Sequence, residues 1–364
     1  MWQYNTRYDW YSFADWVINY EDGGFKRRGL SGSFFFALQD VFSLPLSWSV
    51  FGLQAVSYTF FYGMTFFLLH KKHISLHLLC LIASPLTFLF VIHSFGAIGR
   101  KEIMVLALFS LFIFWLQKAR SLVFRSWRKH TFFCLSLSIL TFFHELTLFY
   151  VPYFWFALWT IDRQNSKIKT VNLLIIGFGY WLAAAIPVFF FYFWGGKINE
   201  GATFSILAAR GVEVDSLAQG VLSWHEDFDT IIYIVENWRD FSRYIIPIFI
   251  GSIQGYFLLK TIVLDAKLRN KYYKFTAFCF VYSLPLFALA LDWGRWIYIH
   301  FSLLLLIIIA ILPQKKTIGE TEKISDLANY TAYFSLFAAL FWCLDVCNIG
   351  FTYGGAIRLL LKCL

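Results

Sequence analysis

TFFCLSLSILTFFHELTLFYVPYFWFALWTI, running from Thr131 to Ile161, decides how the rest of the chain is threaded. It is apolar almost throughout. It is too long for one comfortable membrane span of about 20 residues and short for two. His144, Glu145 and Pro152 interrupt it. We read a tight or re-entrant hairpin, 131–145 then 146–161, whose tip carries His144 and Glu145. The alternative is one long, kinked helix.

Outward from this stretch the same character covers most of the 364 residues. Hydrophobic residues make up 59%, aromatics 22% and charged residues 15%, against about 25% charged in an average soluble domain. A soluble fold could not cover so much apolar surface, and the same composition excludes disorder, collagen and coiled coil. The six cysteines show no Cys-x-x-Cys spacing, so neither a zinc site nor a disulfide framework is indicated. The expected fold is all-α: a polytopic helical integral membrane protein with about ten membrane segments and one sizeable outer loop. The segments are 48–69, 76–95, 103–117, 131–145, 146–161, 170–194, 244–264, 275–291, 297–312 and 324–346. They divide the chain into an interfacial segment 1–47, a first bundle 48–194, a loop 195–243, a second bundle 244–346 and a tail 347–364. No basic n-region followed by an apolar core opens the chain, so no signal peptide is read.

Sidedness follows from the basic loops. Lys71 and Lys72, the group from Lys118 to Lys129, Arg163 to Lys169, Lys267 to Lys274 and Lys315 to Lys323 fall on one face if 131–161 crosses twice. That face is then cytoplasmic; it nets +13 (18 basic, 5 acidic) and the other face −4 (13 basic, 17 acidic), which together give the chain's +9. The excess is an orientation signal, and a nucleic-acid partner is not indicated.

The unusual polar motifs all map to the other face. GGFKRRGLSG (Gly23 to Gly32) brackets Lys26, Arg27 and Arg28 with glycines, a pattern that can present charge and backbone N–H groups to an anion. Contact with anionic lipid headgroups is the plainer explanation. GAIGRKE (Gly96 to Glu102) places Arg100 and Lys101 at the start of a helix, where anions are favoured; snorkelling cations are the alternative. DWGRW sets Asp292 and Arg295 three apart between two apolar spans, flanked by Trp293 and Trp296. This is either a turn-closing pair or a base, an anion ligand and two sugar-stacking rings, and charge at membrane depth makes it a functional candidate. His144 and Glu145 are a structural pair or an acid–base pair, with burial expected to raise the carboxyl towards neutrality. Position 148 is Leu, so HELTL is not a zinc-protease motif. No P-loop, dinucleotide fingerprint or serine elbow occurs.

GFKRRGLSG, the GRKE turn, the HE pair with Pro152 beyond it, and DWGRW together resemble the Wzy-type O-antigen and capsule polymerases, including EpsG-like ones. The resemblance implies a multi-pass helical protein of the bacterial inner membrane whose site faces the periplasm. It implies undecaprenyl-diphosphate-linked glycans as substrates, surrounding membrane lipid and a chain-length regulator protein as a partner. Arg27, Arg28, Arg100 and Arg295 would hold the diphosphate, assisted by Lys26 and Lys101. Asp292 or Glu145 would act as base, and His144 would share the acid–base work. Trp293 and Trp296 would stack on sugars. No metal or other cofactor is expected, because arginines take its place. Two other readings stay open: a GT-C-type glycosyltransferase using a polyprenyl-phosphate sugar, for which acids such as Asp15 and Asp22 lie in the first outer loop, and a transporter or flippase of lipid-linked glycans.

Overall fold

The computed structural model describes residues 10–94, 97–119, 126–165, 170–196, 200–212, 230–263, 265–313, 342–344 and 351–353, with 330, 333, 334, 336 and 337. The expected span 324–346 and the tail 347–364 therefore lie largely outside the described residues. So do Gly96 and 213–229, the centre of the expected outer loop.

The described architecture is helical. In chain order it comprises α1 (Trp10–Val17), α2 (Gly29–Phe42), α3 (Leu46–Leu69), α4 (Leu76–Ala83), α5 (Phe90–His93), α6 (Glu102–Ala119), α7 (Trp127–Phe143) and α8 (Thr147–Asn165). Then follow α9 (Thr170–Trp194), α10 (Glu200–Ala209), α11 (Thr230–Glu236), α12 (Trp238–Phe241), α13 (Ile245–Ile262), α14 (Ala266–Leu289) and α15 (Trp293–Ile311). A short antiparallel ribbon pairs Trp342–Leu344 with Phe351–Tyr353.

The stretch 131–161 is a hairpin, not a kinked helix. Helix α7 stops at Phe143 because His144 is extended, at φ −159°. Helix α8 restarts at once, with the Thr147 N–H and hydroxyl both donating to the His144 carbonyl at 3.2 and 2.9 Å. Pro152 lies inside α8 without breaking it. His144 and Glu145 form the tip, as expected.

Among the described residues five helices are long and apolar enough to cross a membrane: Glu102–Ala119, Val171–Trp194, Trp238–Ile262, Ala266–Leu289 and Trp293–Ile311. A sixth is counted if α2 and α3, bent by 116°, form one broken span. The described residues thus give five or six of the expected ten. One reason is visible at 76–95, where Ser84 precedes Pro85 and takes an extended conformation. A residue before proline is disfavoured in the helical region, so α4 ends there and only the short α5 follows. The α2–α3 corner has a related cause: Pro45 caps α3, and Ser43 adopts a left-handed φ of 54°.

Helix α15 is the axis. Every residue from Gly294 to Ile311 is buried, and α15 packs against α3, α6, α8, α13 and α14. A helix apolar on all sides belongs inside a bundle. By contrast α9 turns Phe178, Phe189, Phe190 and Phe193 outward, as a lipid-facing helix does. The arrangement makes the start of α15, and with it DWGRW, the centre of one end of the bundle.

Candidate functional site

The site begins with glycine. Gly32 of α2 lies so close to α1 that a Cβ there would stand 2.2 Å from the Ile18 carbonyl oxygen, and its N–H donates to that oxygen at 2.9 Å. Only glycine allows this approach. The contact sets α2 beside α1 and fixes the residue before α2, Arg28, at a left-handed φ of 63°. Such a conformation costs a non-glycine residue about 1–2 kcal/mol, and the side chain recovers it. The Arg28 guanidinium donates to both oxygens of Glu145 at 2.6–3.1 Å and to Asp15 Oδ1 at 2.9 Å. Arg27 reaches the same Glu145 at 3.7 Å with its side chain half exposed.

Lys101 joins this node to the next. Its ammonium donates to Ser31 Oγ at 2.9 Å and to the Phe143 carbonyl at 3.0 Å, and lies 3.6 Å from Asp15 Oδ2. It therefore ties α1, α2 and the end of α7 together. The turn carrying it is pinned at Gly99, whose carbonyl accepts from Trp16 Nε1 at 2.6 Å and Gln54 Nε2 at 2.8 Å.

The second node is built on Arg295. Its guanidinium donates to Asp292 Oδ2 at 2.6 Å and, from the other arm, to Glu102 Oε1. It also covers the Trp296 ring at 5.2 Å. Arg100 and Arg295 line one tight cavity with Glu102, Tyr58 and Tyr298. Its volume is about 10 Å³, about the room one water needs.

Electrostatics binds the two nodes into one cluster of nearly balanced charge: Arg27, Arg28, Arg100, Lys101 and Arg295 against Asp15, Glu102, Glu145 and Asp292. Burial alone would raise the Asp15 carboxyl, but Lys101 and Arg28 hold it well below the usual range. Glu145 behaves the same way, with Arg28 overcoming the effect of burial. The expected rise of Glu145 towards neutrality is thus corrected: its environment is buried but not apolar. Arg28 is pushed up, because Glu145 and Asp15 outweigh its own desolvation. Burial lowers Lys101 to about 8, with Asp15 offsetting only part of the cost. Burial, then Arg28, lowers His144 to about 3. His144 is therefore neutral near pH 7, and its Nδ1 faces the Leu146 N–H at 3.4 Å and Glu145 Oε2 at 3.6 Å. Of Asp15, Glu145 and Asp292, Asp292 is the one carboxyl that is raised, by burial that Arg100 and Arg28 only partly counter. The charges of Arg100, Arg28 and Asp15 all reach Asp292.

Of the residues marked in the sequence, Arg27, Arg28, Arg100, Lys101, Arg295, Asp292, Glu145 and His144 come together. Three do not join them as expected. Lys26 is buried in its own network, bonded to Asp22, which in turn accepts from Thr203 of α10. Trp293 Nε1 donates to the Phe287 carbonyl at 2.7 Å, and its ring packs on Phe241, Tyr244 and Phe287. Trp296 is 3% exposed and lies beneath Arg295. Neither tryptophan offers an open face to a sugar. Two residues that sequence reasoning did not place at the centre, Asp15 and Glu102, are the carboxylates that bind the key guanidiniums. Glu102 was visible only as the first residue of a helix.

No protein-family model, no curated protein and no solved structure matches this chain.

Proposed function

We propose that the protein is a glycan polymerase of the bacterial inner membrane, joining undecaprenyl-diphosphate-linked repeat units at the periplasmic face. One observation carries the reading. Motifs far apart in sequence supply five cations and four carboxylates to a single cluster where six helix ends meet. Such a cluster suits an anionic headgroup better than it suits stability. Buried ion pairs are weak stabilisers, because desolvation can exceed the Coulombic gain.

In this reading the half-exposed Arg27 meets the diphosphate first. Arg28 and Arg295 then exchange a carboxylate partner for phosphate oxygens, whose planar, bidentate demands guanidinium meets. The charge that develops on the departing diphosphate falls on Arg28, Arg100 and Arg295. The exchange frees a carboxylate of the cluster to take the proton of the attacking hydroxyl. The surrounding bilayer holds the carrier chains, and a chain-length regulator would dock from outside the described helices.

Asp15 favours a second reading, a GT-C-type glycosyltransferase, because an acid from the first outer segment lies between Arg28 and Lys101. The glycan ladder of a deletion strain separates the two. Loss of a polymerase leaves lipid A core capped with one repeat unit; loss of a transferase leaves an incomplete unit. A complete unit trapped facing the cytoplasm would indicate a flippase instead.

A further inference from the structure

The reaction proposed above, on which this inference rests, needs a carboxylate oxygen free to receive a hydroxyl proton in a place shielded from bulk water. The four carboxylates of the cluster differ in this respect. Glu145 commits both oxygens to Arg28. Asp15 gives Oδ1 to Arg28 and turns Oδ2 towards Lys101. Asp292 holds Arg295 through Oδ2, but its side chain is 28% exposed. A base there would activate water as readily as a sugar hydroxyl. Glu102 is unlike all three. Its side chain is 4% exposed, one oxygen is bonded to Arg295, and Oε2 is buried with no hydrogen-bond partner. An unpaired buried carboxylate oxygen is costly and calls for an explanation. Glu102 also lines the tight cavity that Arg100 and Arg295 share.

We infer that Glu102 is the general base of the reaction and that its Oε2 receives the proton of the acceptor sugar's attacking hydroxyl, the one-water space beside it widening as Arg295 turns from Glu102 to the diphosphate. The hydroxyl oxygen bonds to the anomeric carbon of the donor as the bond from that carbon to the diphosphate oxygen breaks. The electron pair leaves with the diphosphate, which Arg295 and Arg100 hold. The proton rests on Glu102 and passes to water once the product departs. Because Arg295 binds both the carboxylate and the incoming phosphate, capture of the anion releases the base when it is needed. The charged and titratable groups facing Glu102 are Arg295 and Tyr298 of α15, Tyr58 of α3 and Arg100 of the preceding turn.

The test compares wild type, Glu102→Gln and Glu102→Asp in liposomes supplied with lipid-linked repeat units, alongside glycan ladders from a complemented deletion strain. The Gln variant is expected to lose about 10²–10⁴-fold in kcat, with KM within about threefold, and to lose the acidic limb of the kcat–pH profile. The Asp variant keeps that limb and part of the rate. A Gln variant with the wild-type rate overturns the inference. So do Gln and Asp variants that are equally inactive, since the loss would then be structural. A wild-type protein that joins no units and restores no ladder overturns the polymerase reading itself, and this step with it.

Discussion

The two ends of helix α15 both carry a buried cation, and the two are built differently. At the far end Lys72 donates to the carbonyls of Ala310 and Leu312 at 3.3 and 2.8 Å, Gln117 donates to Ala310 at 3.2 Å, and the His73 N–H donates to Pro313 at 3.2 Å. These groups satisfy the last carbonyls of the helix, and the charge complements its dipole. At the near end Arg295 meets two carboxylates, a cavity lies beside it, and one carboxylate oxygen has no partner. A buried cation is therefore not in itself a sign of function. What separates the ends is the residue of polar capacity that the fold leaves unused at one of them.

The largest test of this contrast is Arg295→Ala. It should abolish long-chain glycan and, by stranding Glu102 in the interior, cost about 3–5 kcal/mol of stability. Combining Arg295→Leu with Glu102→Leu should restore the unfolding midpoint while the ladder stays absent. Return of the ladder in that double variant would make the near end structural, like the far one. Arg28→Ala should follow with a loss of about 2–3 kcal/mol, since Glu145 and Asp15 lose their shared donor, and with short glycans.

The next effect is on binding. Lys101 sits at about 8 in the folded protein, below its ordinary value of 10.5. The folded state therefore gains stability as pH rises through about 8, because a charged, buried lysine is being relieved. An anionic ligand has the opposite preference. Affinity for a lipid diphosphate should be flat below about pH 8 and then fall by up to about tenfold per unit. Calorimetric titration across that range should show the fall in wild type and not in Lys101→Met; equal slopes would detach Lys101 from the ligand.

The far end supplies the smaller effects. Lys72→Ala should cost about 1–2 kcal/mol through the uncapped α15 carbonyls, with an unchanged ladder. A shortened ladder would erase the distinction between the ends. Smallest is Trp293→Phe, which loses one hydrogen bond to Phe287, about 1 kcal/mol in thermal unfolding. A larger loss of glycan than of stability would return Trp293 to the site.

Several features are legible in the sequence alone. The helical hairpin at 131–161 follows from a run too long for one span with two polar residues at its middle. The gathering of GGFKRRGLSG, GRKE, HE and DWGRW at one end follows from alternation of basic loops. Other readings failed for local reasons. The span 76–95 was broken by a serine before proline, which hydropathy does not weigh. Adjacency groups Lys26 with Arg27 and Arg28, yet it points to Asp22 because neighbouring residues in a turn face different ways.

Composition and hydrophobic pattern alone determined that this chain is helical and lipid-facing, because burying or exposing apolar surface depends on residue type and spacing. Only the packed structure decided which carboxylate meets which guanidinium. Arg28 finds Asp15 and Glu145, and Arg295 finds Glu102, across large stretches of chain. Such choices are made by the positions of helix ends in space. The protonation of each group follows from how far that same packing removes it from water.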